Sequence, residues 1–133
     1  MGEPFFMYVE VTRNIEIRVE PLYVANQSRP DESYYFFAYK VHIKNLGTIP
    51  IQLLSRHWTI TDGHGHVEEV KGPGVVGQQP RLEAQQTYEY TSFCPLPTPT
   101  GNMRGTYTMT TDTGERFNVE IPVFFFRIPE LMH

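Results

Sequence analysis

Apolar residues recur at every second position along most of this chain, which is the pattern of β-strands with one buried face. In the first such stretch Val9 and Val11 are followed, beyond a two-residue break, by Ile15, Ile17 and Val19. Charged residues alternate with the later members of this series. We expect a half-buried strand here, with all of these apolar side chains on the same face.

The same alternation predicts six further strands, separated by polar or glycine-containing turns. The strands fall at residues 35–44, 51–61, 66–70, 87–93, 103–111 and 117–123. Asp62-Gly63-His64-Gly65 is a strong hairpin signal, because glycine tolerates the positive φ of tight turns. No stretch has helical periodicity over three turns. The pattern predicts an all-β protein, an immunoglobulin or fibronectin type III-like β-sandwich of about seven or more strands. We expect one domain over residues 1–133, with a loose start at residues 1–6.

Composition indicates the compartment of this sandwich and the classes of partner that it excludes. The formal net charge is −4, which argues against non-specific nucleic-acid binding, because such binding needs a basic surface. The single cysteine, Cys94, allows no intramolecular disulfide and fits a reducing compartment. No apolar run has the length of a membrane span or signal segment. We therefore expect a cytoplasmic protein that neither inserts into membranes nor binds nucleic acid.

A glycine string between two predicted strands formally matches the G-x-G-x-x-G pattern of dinucleotide-binding loops, with Gly72, Gly74 and Gly77. That pattern binds pyrophosphate only where a helix opens directly after it. Here Gln78-Gln79-Pro80 follows, so we interpret the string as a connection between strands. As an alternative, its amides could bind an anion such as a nucleotide pyrophosphate, although Pro73 removes one donor. The candidate ligand-binding residues are Gly72, Gly74, Val75, Val76 and Gly77.

Two histidines flank the predicted hairpin turn. His64 and His66 are two residues apart, so they share a face and could share a metal ion, with Glu68 extending that face. A closed metal site usually takes three or four ligands, so a solvated hairpin tip is the favoured interpretation. His57 and Trp58 should point to opposite faces of their strand, with Trp58 in the core and His57 as a hydrogen-bonded structural histidine.

No residue pattern indicates catalysis. Cys94 lies in a predicted proline-rich loop and is interpreted as a small packing residue. The carboxylates show no pairing typical of acid–base work. Arg56, Lys71, Arg81 and Arg104 are interpreted as scattered surface charge. The sequence predicts no catalytic residues and no cofactor.

Several long blocks nevertheless resemble one family. They read QLLSRHW at 52–58, VEEVKGPGVVGQQP at 67–80, YEYTS at 88–92, CPL at 94–96, TPTG at 98–101 and MRG at 103–105. These blocks, with the opening VTR and the closing strand, resemble the ApaG family over nearly the whole chain. Phe93 departs from the family pattern, in which a smaller residue, often glycine, is expected.

The resemblance implies a fibronectin type III-like sandwich and an association with cobalt resistance and magnesium efflux. Similar domains in larger proteins are read as protein-interaction modules, and no catalytic residues are carried over. We therefore expect a non-catalytic binding module whose partner is another protein. Nucleotide or pyrophosphate binding by the glycine string and divalent-metal sensing are the alternatives. Because sheet edges can pair between copies, a homodimer is also plausible.

Overall fold

Alternating side chains give each strand one apolar face, and two sheets can bury these faces against each other. The computed structural model describes residues 7–129, in which nine strands form two antiparallel sheets. Sheet I has the order β1-β2-β3-β7: Tyr8–Thr12, Ile15–Tyr23, Tyr35–Asn45 and Thr87–Leu96. Sheet II has the order β5-β4-β8-β9: Val67–Pro73, Ile51–Asp62, Thr100–Thr111 and Arg116–Arg127, with β6 (Arg81–Leu82) also paired to β4. The predicted all-β, fibronectin type III-like sandwich is confirmed, and the expected loose start lies outside the described residues.

The loop between β2 and β3 contains two single-turn 3₁₀ helices, Ala25–Gln27 and Pro30–Glu32. Neither approaches the roughly 20 residues that a membrane-spanning helix needs. Within residues 7–129, no helix has the length and apolar character needed to cross a membrane.

The core lies between the sheets and is rich in aromatic rings. Phe37 of sheet I stacks on Phe126 of sheet II with ring centroids 4.7 Å apart. Trp58 meets Tyr39 edge-on at 5.5 Å and Phe124 at 5.9 Å. Tilted and edge-to-face pairs of this kind stabilise beyond their buried area. The predicted core position of Trp58 is confirmed.

A hydrogen bond between two tyrosines crosses this apolar layer. The hydroxyl groups of Tyr90 on β7 and Tyr107 on β8 are hydrogen-bonded to each other inside the core. Burial raises the pKa of both hydroxyls well above the ordinary tyrosine value. Both rings are therefore neutral, and each hydroxyl satisfies the other where water is excluded.

The prediction for the first stretch was wrong, because the chain reverses at Arg13-Asn14. Both residues have positive φ, 49° and 64°, as the tight two-residue hairpin turn requires. Thr12 pairs with Ile15 across the turn, so the even-numbered residues of β1 share the inner face of β2. Val9 and Val11 consequently face outward, each 49% exposed.

Alternation from Phe117 through Ile121 in the last predicted strand would place Val123 on the same inner face, and this does not hold. Gly105 pairs with Ile121 but Met103 pairs with Phe124, so β9 contains one extra residue at this point. Such a β-bulge shifts the inside–outside alternation by one position. Phe124 and Phe126 therefore enter the core, whereas Val123 is exposed.

Several strands run further than predicted, and the extensions of β5 and β7 affect candidate residues. β5 continues through Lys71 to Pro73, which shortens the predicted glycine-rich loop. β7 continues through Pro95 to Leu96, so Cys94 lies in a strand and not in a loop. Pro95 is tolerated there because β7 is an edge of sheet I, whereas Thr100 and Gly101, at the end of the same proline-rich segment, begin the central strand β8 of sheet II.

Candidate functional site

The glycine string forms a tight hairpin tip that follows β5. Val75 and Gln78 exchange both main-chain hydrogen bonds, at 2.8 and 2.9 Å. The two residues between them, Val76 and Gly77, have φ of 47° and 77°. Two successive positive φ values between a mutually bonded pair are typical of a type I′ turn. The string is therefore a strand connection, as predicted, and β6 follows it where a dinucleotide fold would place a helix.

Packing within the hairpin accounts for the first two glycines. Arg56 of β4 donates from Nη1 to the carbonyl oxygens of Pro73 and Gly74, 2.9 Å away in each case. A Cβ on Gly72 would lie 3.1 Å from the same nitrogen. A Cβ on Gly74 would lie 2.3 Å from the carbonyl oxygen of Gln78, and its φ is 62°. These glycines let Arg56 and the returning strand approach the loop closely.

The same geometry shows which amides of the string are engaged. Gly74 donates to the carbonyl of Leu54, while Val75 and Gln78 bond each other. Proline has no N–H, so Pro73 offers none. The amides of Val76 and Gly77 are the ones left at the tip for an anion. Anion binding by the string stays a prediction, with those two amides as its centre.

The two predicted metal ligands flank a hairpin turn that is organised by Asp62. The Oδ1 of Asp62 accepts the main-chain N–H groups of His64 and His66 at 2.8 and 3.0 Å. Desolvation raises the pKa of Asp62, but these hydrogen bonds outweigh it and hold the pKa below the ordinary value. In residues 7–129 no group of three or more His, Cys, Asp or Glu side chains is arranged to hold a metal ion. Metal binding by His64 and His66 stays a prediction.

The remaining candidate chemical groups are engaged in the fold. His57 Nε2 lies 2.7 Å from Glu69 Oε1, and this hydrogen bond lowers the pKa of Glu69. His57 is thus a hydrogen-bonded histidine, as expected. Burial, together with the charge of Glu68, raises the pKa of the Cys94 thiol to about 12. Because the thiolate is the nucleophilic form, Cys94 is an inert packing residue.

The interpretation of four basic residues as scattered surface charge stays a prediction, and two of the four have partners in the fold. Arg56 is bound to the carbonyls of the glycine hairpin. Arg81 pairs with Glu83 and, at 2.8 Å, with Asp112. The two guanidinium groups therefore serve different parts of sheet II.

Sequence reasoning missed an apolar surface on the outer face of sheet I. Leu22 of β2 and Phe93 of β7 are 60% and 58% exposed, and both pair with Ala38 of β3 between them. The ring of Phe36 lies 5.4 Å from Phe93 and 6.2 Å from Tyr34. We call these five residues the outer apolar patch. The small Ala38, only 5% exposed, forms its floor. The one sequence signal for it was Phe93, which departs from the family pattern.

Charged side chains border the outer apolar patch along the same face. His42 Nε2 lies 2.6 Å from Glu20 Oε2, and its Nδ1 lies 2.9 Å from Glu89 Oε2. His42 thus links a carboxylate of β2 to a carboxylate of β7 across the middle of sheet I. Lys40 Nζ lies 3.5 Å from the other oxygen of Glu89. An apolar patch with a polar border is typical of a protein-binding surface.

Comparison with known proteins finds relatives whose chains have nearly the same length as this one. The family model described as the ApaG domain matches residues 25–111. The chain is 51% identical to Protein ApaG of Azorhizobium caulinodans over 94% of its own length and 96% of the relative. It is 52% identical to Protein ApaG of Bdellovibrio bacteriovorus, over 90% and 94%. The crystal structure of a putative ApaA protein from Bordetella pertussis superposes with a TM-score of 0.83, at 49% identity, over 96% and 97% of the two chains.

Proposed function

The chain belongs to the ApaG family, and we propose that it is a non-catalytic module that binds another protein. The observation that carries this proposal is the outer apolar patch, whose Leu22 and Phe93 are more than half exposed on adjacent parts of one face. Exposed aromatic and aliphatic side chains that lie together are energetically costly in water, and a partner that covers them removes that cost.

The chemistry of the described residues supports a binding role over a catalytic one. The Cys94 thiol is held protonated by burial, and His42 and His57 are bound to carboxylates. The resemblance to ApaG associates the family with cobalt resistance and magnesium efflux. We place any such role in the partner, with this domain acting on it through contact.

The proposal is tested by removing the apolar surface without disturbing the core. In the double variant Leu22→Thr/Phe93→Thr both sites receive a β-branched residue that suits a strand. The matched control is Val67→Thr/Phe125→Thr, which changes two exposed apolar residues of sheet II. Each form is expressed at native abundance, crosslinked in cells and purified by affinity, and cobalt tolerance is measured in the same strains.

We expect a partner to be recovered with the wild type and the control, and to be lost with the sheet I variant. Cobalt tolerance should follow the same order if the partner handles the cation. Recovery of no partner above background from wild-type cells would overturn the proposal. Equal recovery with both double variants would remove the outer apolar patch as its basis.

The two alternatives have direct tests of their own. If the hairpin tip binds nucleotides, titration with ATP should shift the amide resonances of Val76 and Gly77, because these donors face the tip. If His64 and His66 bind a cation, calorimetry with cobalt should give heat that His64→Ala abolishes. Absence of amide shifts rejects the nucleotide alternative, and absence of heat rejects the cation alternative. Neither result affects the protein-binding proposal.

A further inference from the structure

The free edge of β7 presents unpaired main-chain groups. The hydrogen bonding of Phe36, on the neighbouring strand β3, identifies the β7 residues to which these groups belong. The carbonyl of Phe36 accepts a hydrogen bond from the Val24 amide at 2.9 Å, on the side of β3 away from β7. The pair of Phe36 with Pro95 is therefore a non-hydrogen-bonded pair of the antiparallel ladder. Because such pairs alternate along a ladder, the main-chain groups of every second β7 residue point away from β3. Those with an N–H to donate are Thr87, Glu89, Thr91 and Phe93.

In the described part of the chain, no strand pairs with that side of β7. The edge is ten residues long, and its register with β3 runs without a bulge. It contains no lysine or arginine, and its one proline, Pro95, is next to its end. Natural proteins usually protect a free edge with short strands, bulges, charges or proline.

The other strands at the sheet borders have such protection. β1 has five residues, and its Thr12 hydroxyl accepts the main-chain N–H of Glu120 in β9. β9 itself contains Pro122 and the bulge. β5 has seven residues, carries three charged side chains and ends at Pro73. β7 therefore stands out as a long, regular edge that is open to another strand.

The side chains along this edge define what an incoming strand should carry. Phe93 projects from the outer face at one end and adjoins the outer apolar patch through Phe36. Glu89 lies four residues away on the same face, with its side chain about half exposed. An extended segment beside β7 would place alternate side chains next to these two, since strand side chains repeat every second residue. An apolar residue suits Phe93, and a basic residue suits the exposed side of Glu89, whose carboxylate also contacts Lys40 and His42.

We propose that β7 accepts an extended segment of the partner protein by strand addition to sheet I. The segment carries an aromatic or β-branched residue beside Phe93 and a lysine or arginine, four residues away, beside Glu89. Main-chain hydrogen bonds supply affinity and the two side-chain contacts supply selectivity, as in other cases of strand addition. This inference rests on the proposed protein-binding function and names the surface and the chemistry of its partner.

The test uses the full chain and a defined probe. The probe is a capped ten-residue peptide of alternating valine and threonine, with one phenylalanine and one arginine placed four residues apart. Binding is followed by the amide resonances of Thr87, Glu89, Thr91 and Phe93. Thr91→Pro removes one outward N–H while leaving the ladder to β3 intact, and Thr91→Val keeps that N–H as the matched control. A second probe, N-methylated at alternate residues, removes the donors from the peptide instead.

We expect the probe to shift the four amides, and Thr91→Pro to weaken binding at least about tenfold, with Thr91→Val unchanged. The N-methylated probe should fail to bind the wild type, which tests the hydrogen bonds donated by the peptide to β7 carbonyls even if Thr91→Pro perturbs folding. Shifts confined to another strand, or equal binding of both probes, would overturn the inference. So would a dimer formed through β7 without peptide, because the occupant would then be a second copy.

The affinity purification separates this inference from the function on which it rests. If a partner is lost with the double variant of Leu22 and Phe93 but is retained with Thr91→Pro, the module binds protein by its face and strand addition is wrong. If wild-type cells yield no partner while the probe binds β7 as expected, the edge accepts strands but the proposed function has failed. Loss of the partner with both variants supports both.

Discussion

Val76 is a β-branched residue held in the left-handed region of backbone space, with φ of 47°. For an L-residue this conformation costs about 1–2 kcal/mol, and branching at Cβ adds to the crowding. The side chain gains little in return from the fold, since it is 62% exposed. Val76 is therefore a strained and exposed residue that the core does not need, and its side chain is available for contact with another molecule.

We expect Val76→Asn to stabilise the protein by about 1 kcal/mol, because asparagine before glycine is a preferred pair for a type I′ turn. The measurement is the free energy of unfolding in urea. Val67→Asn is the control, since Val67 is similarly exposed but lies in a strand, where asparagine is disfavoured. A loss of stability in Val76→Asn would show that the valine side chain makes a contact that holds the hairpin.

At this scale the sequence predicts the glycine string only in part. Gln78-Gln79-Pro80 excludes a following helix, so the interpretation as a strand connection could be reached from residue types alone. The reasons for Gly72 and Gly74 could not, because they depend on Arg56 and Gln78, which approach only when the hairpin closes. The engaged amides of the string likewise follow from the fold and not from the motif.

At the scale of the strands, alternation locates every long strand but misassigns two faces. Val9 and Val11 were placed inside because the period of two continues through Arg13-Asn14, whereas a tight turn there reverses the chain. Alternation would likewise place Val123 inside, because the bulge in β9 leaves no mark in the spacing of apolar residues. Turns and bulges change which face a residue occupies without changing the spacing of apolar residues, so pattern alone cannot detect them.

Glu20 of β2, Lys40 and His42 of β3 and Glu89 of β7 form a row of ionisable side chains, which makes the stability of sheet I depend on pH. The hydrogen bond to His42, and then the charge of Lys40, lower the pKa of Glu89 below its ordinary value. A carboxyl whose pKa is depressed by folding stabilises the protein above its unfolded-state pKa, and that contribution is lost as pH falls through the folded-state value.

We therefore expect Glu89→Gln to be less stable than the wild type at pH 7, with the difference shrinking below the ordinary glutamate pKa and vanishing at lower pH. Urea unfolding of both proteins at pH 7, 5 and 3 measures it. A gap that stays constant over this range would mean that the ionised carboxylate contributes nothing and that only the shape of the side chain matters.

For the whole molecule, the sandwich is predictable because its cause is local: each strand has one apolar face to bury. The outer apolar patch is not, since Leu22 and Phe93 belong to different strands and meet only through their common neighbour Ala38. Phe36 was missed for a related reason: it precedes the buried Phe37 in an aromatic run and looks like core. Which face an aromatic run exposes is decided by the register between strands.

The hydrogen bond between Tyr90 and Tyr107 joins the two sheets inside the core, and its contribution to stability can be measured. Tyr107→Phe leaves the Tyr90 hydroxyl buried without its partner, which should cost about 1–3 kcal/mol of unfolding free energy. Tyr90→Phe should cost a similar amount for the same reason.

The double variant removes both polar groups, so we expect it to cost less than the sum of the single variants, with a coupling energy on the order of 1 kcal/mol. Urea unfolding of the four proteins measures the coupling, and absorbance of tyrosinate during alkaline titration reports whether the remaining hydroxyl has become accessible. Purely additive losses would mean that each ring acts by packing alone and that the register of the sheets is set entirely by the apolar layer.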